Sequence, residues 1–160
     1  MKYLKFFPFY LISLIPLRVL YGLSSAMFFV LYHIIKYRRD VVSGNLNRSF
    51  PEKSEMEIKE IEKKFYKHFC DIAIESIKGL TMSKKLMSKR LKIKNLSLVE
   101  DLFKKNKSVI MYTAHIGNWE WLNVLPTMVP YKTQSFYQKI SSNYYDQFML
   151  DLRSRFGMNC

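Results

Sequence analysis

Residues 108–121 read SVIMYTAHIGNWEW, a short apolar run followed by a histidine, a glycine turn and a glutamate flanked by two tryptophans. The run Val109–Tyr112 is short and apolar, and a helix-type pattern follows it, which predicts a buried parallel strand. Functional groups in folds with such strands collect at the carboxyl ends of the strands. This stretch therefore predicts an α/β fold class with a functional corner at His115.

The spacing of the histidine and the glutamate restricts how they can meet. His115 and Glu120 are five residues apart, which places them about 140° apart around one continuous helix. They can approach each other only if His115 lies in the loop before the helix. On the residues alone, a lone histidine after a strand is a hydrogen-bonded structural residue in roughly half of cases, so that interpretation stays open.

Composition and charge restrict the partners. The chain has 160 residues, enough for one domain, and its apolar fraction of 49% supports a core. There are 26 Lys and Arg residues against 13 Asp and Glu residues, so the net charge is +13 and an anionic partner is predicted. Phospholipid headgroups and an acidic carrier protein fit this charge. Nucleic acid fits the charge as well but is disfavoured, because Phe103 is the one aromatic residue in the basic stretch 82–107 and no aromatic platform is interleaved with its lysines.

Several site types lack their sequence signatures. The two cysteines form no CxxC pair, which is typical of a reducing compartment. The three histidines have no metal-ligand spacing, and no glycine-rich phosphate loop or GxSxG nucleophile motif occurs. We therefore predict neither a metal nor a cofactor.

The N-terminal residues 3–35 contain no acidic residue and form a predicted membrane anchor. Within them Val19–Ile35 has seventeen residues, close to the minimum for a transmembrane helix, and Pro16 with Arg18 interrupts the apolar sequence. The anchor either spans the membrane once or lies in one leaflet; the residues leave both open. A cleaved signal peptide is disfavoured, because more apolar sequence follows the small residues 24–26.

The charges that follow this anchor predict its orientation. Three basic residues come directly after it, Lys36, Arg38 and Arg39, and the positive-inside tendency then places the rest of the chain in the cytoplasm. We therefore divide the chain into a membrane anchor, residues 1–39, and a cytoplasmic portion, residues 40–160.

The remaining elements follow from caps and periodicity. A short helix or turn is predicted for Asp40–Phe50, and a capping box, Ser54 with Glu57, predicts the start of a longer amphipathic helix. A second capping box, Ser97 with Glu100, predicts a helix to about Lys105. The other predicted elements are strands at Leu91–Lys94 and Thr133–Gln138 and helices at Trp119–Met128 and Ser142–Phe156. Alternating strands and helices favour a parallel α/β sheet.

Three stretches, in order, resemble one known family. They are YRRDVVSGNLNRSFPEKSE (Tyr37–Glu55), FYKHFCDIAIESIK (Phe65–Lys78) and AHIGNWEW (Ala114–Trp121). They resemble the bacterial late lipid A acyltransferases, the lauroyl- and myristoyl-transferase branch of the lysophospholipid acyltransferase superfamily. The resemblance implies a membrane helix followed by the first part of a glycerolipid-acyltransferase-like α/β domain. It also implies a bacterial inner-membrane enzyme whose catalytic part faces the cytoplasm.

The family motifs fall on particular residues. The HxxxxE motif of the family matches His115 and Glu120, which the resemblance makes the catalytic pair, and an RxxxG pattern matches Arg153 with Gly157. Arg155 is the alternative register for the arginine. Gly117, Asn118 and Trp119 complete the predicted substrate-binding residues, since N–H groups at a helix start can meet a developing negative charge.

The implied reaction moves an acyl group from acyl carrier protein or coenzyme A to a hydroxyl of a glycolipid, a lipid A precursor. His115 would act as the base and Glu120 would orient it. Two alternatives remain at this stage: acylation of another lysolipid or aminolipid, and a non-enzymatic, membrane-anchored basic binding module. The family's domain is longer than this chain, so we expect the N-terminal portion of a larger enzyme.

Overall fold

The computed structural model describes residues 4–160, and the regular secondary structure of these residues is helical. After a short 3₁₀ turn at Leu4–Phe6, helix α1 runs over Phe7–Leu14 and α2 over Leu17–Phe29, and α2 continues as a π-helical turn at Val30–Ile34. The next helices are α3 (Arg39–Ser49), α4 (Glu55–Lys78), α5 (Lys84–Arg90) and α6 (Leu96–Lys104). A 3₁₀ helix at Trp119–Thr127 and α7 at Asn143–Arg153 follow, and a 3₁₀ turn, Ser154–Phe156, extends α7.

The predicted α/β fold class is wrong. Throughout residues 4–160 no β-strand forms, and the β-type pairing found is an isolated parallel bridge between Gln134 and Asn159. A strand requires a neighbour for its N–H and C=O groups, and no described segment pairs with Val109–Tyr112. The side chains of Ile110 and Tyr112 are accordingly 89% and 97% exposed.

The other two strand predictions fail in the same way. Leu91–Lys94 is a connection between α5 and α6, and in Thr133–Gln138 only Gln134 takes part in the isolated bridge. Alternating side chains make these segments compatible with an extended backbone, but the pattern does not supply the second strand that the hydrogen bonds need.

Most helix predictions are confirmed, with shifted ends. The break at Pro16 separates α1 from α2, and the capping box of Ser54 and Glu57 forms at the start of α4. The second capping box is wrong: α6 begins at Leu96 after Asn95, whose left-handed backbone (φ 58°) ends the preceding segment without a side-chain cap. Predicted Trp119–Met128 is a 3₁₀ helix rather than an α-helix, with Pro126 inside it.

The contacts group the chain into two units. A continuous unit comprises Ile15–Ile77, and a discontinuous unit combines residues 4–14 with Lys78–Cys160. The core of the continuous unit is formed by Leu20, Tyr32, Ile58, Tyr66, Cys70 and Ile74. The core of the discontinuous unit is formed by Phe6, Leu80, Met82, Met87, Val124, Leu125, Phe148, Leu152 and Met158.

Two sets of contacts hold residues 4–14 within the discontinuous unit. Phe6 packs edge-on against Tyr144 and Phe148 of α7, with ring centroids 5.0 and 5.5 Å apart. The backbone carbonyl of Ser13 accepts hydrogen bonds from Lys78 Nζ at 2.7 Å and Thr81 Oγ1 at 2.6 Å. These bonds pair a carbonyl at the end of α1, where helices leave such groups without an internal partner.

One helical segment among the described residues has the properties of a membrane helix. Leu17–Ile34 has eighteen residues with a mean hydropathy of 1.4, and only 17% of it is buried. At 1.5 Å per residue it is about 27 Å long, close to the roughly 30 Å hydrocarbon thickness of a bilayer. By length and composition it is therefore a candidate to enter a membrane.

Candidate active site

Loop geometry places His115 ahead of the 3₁₀ helix. The residues between Ser108 and Asn118 have no regular secondary structure. A backbone hydrogen bond from the Ile116 N–H to the Ala114 carbonyl (2.8 Å) forms a tight turn at His115. Gly117 follows with φ 62°, a left-handed conformation that glycine adopts without steric cost. His115 therefore lies in the loop before the helix, which is the condition under which its side chain can approach Glu120.

The start of the 3₁₀ helix is fixed by a cap. Asn118 Oδ1 accepts a hydrogen bond from the backbone N–H of Glu120 at 3.2 Å, which pairs one of the N–H groups that a helix start leaves open. This bond fixes the backbone of Glu120 in the first turn of the helix.

The Glu120 carboxylate is buried and ion-paired. Its side chain is 7% exposed, and Arg153 of α7 contacts both of its oxygens, with Nε 3.0 Å from Oε2 and Nη2 2.6 Å from Oε1. Trp119 Nε1 donates a third hydrogen bond to Oε1 at 3.1 Å. Hydrogen bonding to Glu120 is the main cause that raises the pKa of the Arg153 guanidinium above its ordinary value. The Arg153 guanidinium therefore stays charged at neutral pH, and its contacts with both carboxylate oxygens form a bidentate ion pair.

The two helices that carry this pair are joined by a second buried bond. Asn123, 4% exposed, donates from Nδ2 to the Leu152 carbonyl at 3.1 Å. Leu152 precedes Arg153 directly, so this bond fixes the end of α7 against the 3₁₀ helix. The Arg153 guanidinium also lies over the Tyr137 ring, 5.6 Å from its centroid. Sequence reasoning missed both contacts, because Asn123 and Tyr137 belong to no motif and are near the pair only after folding.

His115 and Glu120 are not hydrogen-bonded to each other in the structure. The His115 ring instead packs edge-on against the Trp119 indole, with centroids 4.6 Å apart, and Trp119 in turn donates to Glu120. Trp119 thus connects the histidine to the carboxylate. His115 itself is exposed, whereas Glu120 is buried.

The structure distinguishes the two arginine registers. Arg153 contacts Glu120, whereas Arg155 Nη1 donates to the backbone carbonyls of Gly79 and Met82 at 2.5 and 2.6 Å. Arg155 therefore binds the backbone of the segment that follows α4, whereas Arg153 lies at the candidate site. The predicted end of this helical segment at Phe156 is confirmed, because Gly157 follows in a left-handed conformation with φ 93°.

Five of the six predicted site residues lie between His115 and Glu120 in the sequence, and folding brings the sixth, Arg153, to Glu120. A pocket of about 390 Å³ elsewhere in the discontinuous unit includes none of the predicted site residues; it is lined by Glu100, Phe103, Lys104 and 127–130. In the described part of the chain, no three His, Cys, Asp or Glu residues are close enough to hold a metal ion.

Comparison with known proteins gives one match. The family model described as bacterial lipid A biosynthesis acyltransferase matches residues 1–160, the whole chain. No curated protein and no solved structure matches the chain.

Proposed function

Since this chain belongs to the bacterial lipid A biosynthesis acyltransferase family, we propose that it transfers a fatty acyl group from a thioester to a hydroxyl of a lipid A precursor. The donor is an acyl group on acyl carrier protein or on coenzyme A. Two observations support the proposal. The first is the family match over the full chain, and the second is the buried ion pair of Glu120 with Arg153, in which Glu120 follows the exposed His115 by five residues. The pair is the observation that carries the site assignment.

His115 acts as the general base in the proposed reaction. Its imidazole takes the proton of the acceptor hydroxyl while the hydroxyl oxygen attacks the thioester carbonyl carbon. The carbon–sulfur bond then breaks, and the imidazolium returns the proton to the departing thiolate. No acyl-enzyme forms in this scheme, because neither serine nor cysteine adjoins His115 in the sequence.

Glu120 orients the imidazole in this proposal. Its Oε1 already accepts from both Arg153 and Trp119, whereas Oε2 accepts from Arg153 Nε. A carboxylate oxygen accepts two hydrogen bonds, so Oε2 has the capacity for one from an imidazole N–H. The loop that contains His115 has few backbone hydrogen bonds. In the proposed reaction a conformational change of this loop moves the imidazole from Trp119 to Oε2 of Glu120.

Arg153 positions Glu120 and offers one further group to an anion. Nε and Nη2 contact the carboxylate, and Nη1 remains to meet either a lipid phosphate or the oxygen that becomes negative during transfer. The N–H groups of Gly117 and Asn118, at the start of the 3₁₀ helix, are the other proposed donors to that oxygen. Trp119 lies against the base and completes the substrate-contacting surface.

The membrane context fits this chemistry. The family is membrane-associated in bacteria, and the chain has a candidate membrane helix at Leu17–Ile34. We place the protein at the inner membrane with the candidate site facing the cytoplasm, since acyl thioesters of carrier protein and of coenzyme A are cytoplasmic compounds.

The test is transfer by purified protein, with acyl carrier protein and coenzyme A thioesters supplied separately and a lipid A precursor as acceptor. His115→Ala should lower turnover by about 10²-fold or more, as expected for loss of a general base. His68→Ala, an exposed histidine on α4, is the matched control and should transfer at the parent rate. Parent-level transfer by His115→Ala would remove the proposed base.

The acceptor is tested in the same assay. A lysophospholipid or an aminolipid offered in place of the lipid A precursor carries a hydroxyl or amine that the same chemistry would acylate. Transfer to either of these, with none to the lipid A precursor, would exclude the proposed substrate while retaining the acyltransferase activity.

A further inference from the structure

The helical segment formed by α2 and its π-helical turn, Leu17–Ile34, has two chemically different sides. One side is buried within the continuous unit and includes Leu20, Ser24 and Tyr32. The opposite side is exposed and apolar; it is formed by Val19, Gly22, Leu23, Ala26, Phe29, Val30 and Ile34. We call this exposed side the apolar face. Free in water, such a contiguous apolar surface is unfavourable, so the face has a partner.

Charged residues of α4 contact the buried side. Ser24 Oγ donates to Asp71 Oδ1 at 2.5 Å, and Lys67 Nζ lies 3.4 Å from the same hydroxyl while also pairing with Asp71. One turn earlier in α2, Tyr21 donates its hydroxyl hydrogen to Glu75. All three partners on α4 are therefore charged residues.

The contacts continue along the whole segment in antiparallel order. The Tyr32 ring packs edge-on against Tyr66, with centroids 5.4 Å apart, and just after the segment Arg39 Nε donates to Glu62 at 2.7 Å. Residues that rise in number along α2 thus meet residues that fall in number along α4. The two helices lie side by side over Glu62–Glu75, and at any tilt this part of α4 shares the depth of α2.

A transmembrane position for α2 would carry α4 into the hydrocarbon. Between Glu62 and Glu75, α4 has six charged residues, and Ser24 with its partner Asp71 would lie about 10 Å inside the segment's start. Each such charge costs about 2.5–3.5 kcal/mol at the centre of a bilayer, which no contact in the continuous unit offsets for all six. The observed fold and a transmembrane α2 therefore exclude each other.

We propose that α2 lies in the plane of the membrane, with its apolar face in the hydrocarbon of one leaflet and α4 on its headgroup side. Both ends of the segment then lie on the same side of the bilayer. The exposed basic residues support this position: Arg18 at one end and Lys36 with Arg38 at the other all reach anionic headgroups of one surface. The partner of the apolar face is thus an anionic lipid leaflet rather than another protein.

Sidedness is measured with two single-cysteine variants of the full chain, Arg18→Cys and Ile35→Cys, each at an exposed position at one end of the segment. Both are made in a Cys160→Ser background, and the background protein, which retains buried Cys70, supplies the baseline. Each variant is expressed in bacteria, and spheroplasts are treated with a membrane-impermeant maleimide before and after lysis.

Equal labelled fractions at the two positions before lysis, within about twofold, are expected, because both ends share one side. Labelling of one position with at least tenfold protection of the other would show a transmembrane helix and overturn the proposal. The readout does not depend on acyl transfer, so an inactive or differently specific enzyme leaves this result interpretable.

A disulfide tests whether the fold itself persists in the membrane. Ser24→Cys with Asp71→Cys joins α2 to α4 at their hydrogen-bonded pair, and mild oxidation in isolated membranes should cross-link it. Leu23→Cys with Asp71→Cys is the matched control and should not react, because Leu23 belongs to the apolar face. Absence of the first cross-link, or equal formation of both, would contradict the contact on which the proposal rests.

Discussion

Glu120 is buried, ion-paired with Arg153 and hydrogen-bonded to Trp119, so it contributes to the folded structure as well as to the candidate site. Removing one member of a buried ion pair leaves the other charge without compensation, and this costs more than the net value of the pair. A loss of activity in a Glu120 variant would therefore mix lost chemistry with lost stability. His115, which is exposed, does not have this complication.

A double-mutant cycle measures how much the contact between Glu120 and Arg153 contributes to stability. Glu120→Gln and Arg153→Met should each lower the free energy of unfolding by about 3 kcal/mol, and the double variant by clearly less than the sum. Thermal unfolding in detergent micelles measures all four proteins. Additive losses would mean that the contact between the two side chains contributes nothing to the folded state.

The loop residue Gly117 provides a second residue-level test. At φ 62° a non-glycine residue is strained, although no atom lies within 4 Å of the position where a Cβ would be. Gly117→Ala should therefore cost about 1 kcal/mol through the backbone alone, while Gly117→Asn, which tolerates this conformation better, should cost less. Unfolding of the two variants gives the comparison, and an equal or larger loss for Asn would contradict a backbone cause.

At the scale of elements, the best-specified feature is the start of α4. Ser54 donates its N–H and its hydroxyl hydrogen to Glu57 Oε2 at 2.9 and 2.8 Å, and Glu57 N–H donates back to Ser54 Oγ at 3.4 Å. The bond from the Ser54 backbone is the main cause that lowers the pKa of the Glu57 carboxyl. All three bonds involve residues three apart, so they form without any distant contact.

This cap should make α4 sensitive to pH. A carboxyl whose pKa falls on folding contributes stability above its unfolded pKa, and that contribution is lost as the pH falls through the lower folded value. Glu57→Gln should thus destabilise the protein at pH 7 and have no effect near pH 2. Unfolding monitored by circular dichroism at both pH values tests this; Glu60→Gln, one turn later in α4, is the control and should show no such difference. An equal loss at both pH values would exclude the carboxylate as the cause.

The elements that the sequence pattern misassigned share one physical feature. Helical bonds connect residues four apart, so a capped, periodic segment such as Glu55–Lys78 determines its own backbone pairing. The bonds of Val109–Tyr112 would have to reach another segment, and periodicity carries no information about whether that segment is present. This is why a capped, periodic helix such as α4 was predicted from the sequence and the strands were not.

At the scale of the whole molecule, most of the net positive charge and the apolar face belong to different units. The continuous unit, Ile15–Ile77, has 10 basic and 8 acidic residues, whereas the rest of the chain has 16 basic and 5 acidic ones. The apolar face belongs to the nearly neutral unit, and the strong positive charge belongs to the unit with the candidate site. Binding to lipid should accordingly have a hydrophobic contribution and an electrostatic one. Salt screens the electrostatic contribution, so binding at high salt measures the hydrophobic one.

Two variants on α2 measure the hydrophobic contribution. Leu23 and Ser25 are both exposed, but they point about 200° apart, so Leu23 lies on the apolar face and Ser25 on its flank. Leu23→Lys should reduce the fraction of protein that stays on vesicles of anionic phospholipid at 0.5 M salt severalfold, while Ser25→Lys should leave it near the parent value. Flotation of the vesicles measures this fraction. Equal effects of the two lysines would mean that the apolar face is not the lipid-contacting side.

The sequence by itself determined the features whose causes lie within a few residues. These are the break at Pro16, the cap of α4, the placement of His115 in a loop before a helix, and the family motifs that led to the acyltransferase assignment. Each depends on local geometry or on residue identity in a fixed register.

Tertiary structure alone decided the rest. The packing brought Arg153 rather than Arg155 to Glu120, and it placed charged residues of α4 along α2. It also left Val109–Tyr112 without a strand partner. These outcomes depend on which distant segments meet, and that is set by the packing of the whole chain rather than by any local pattern.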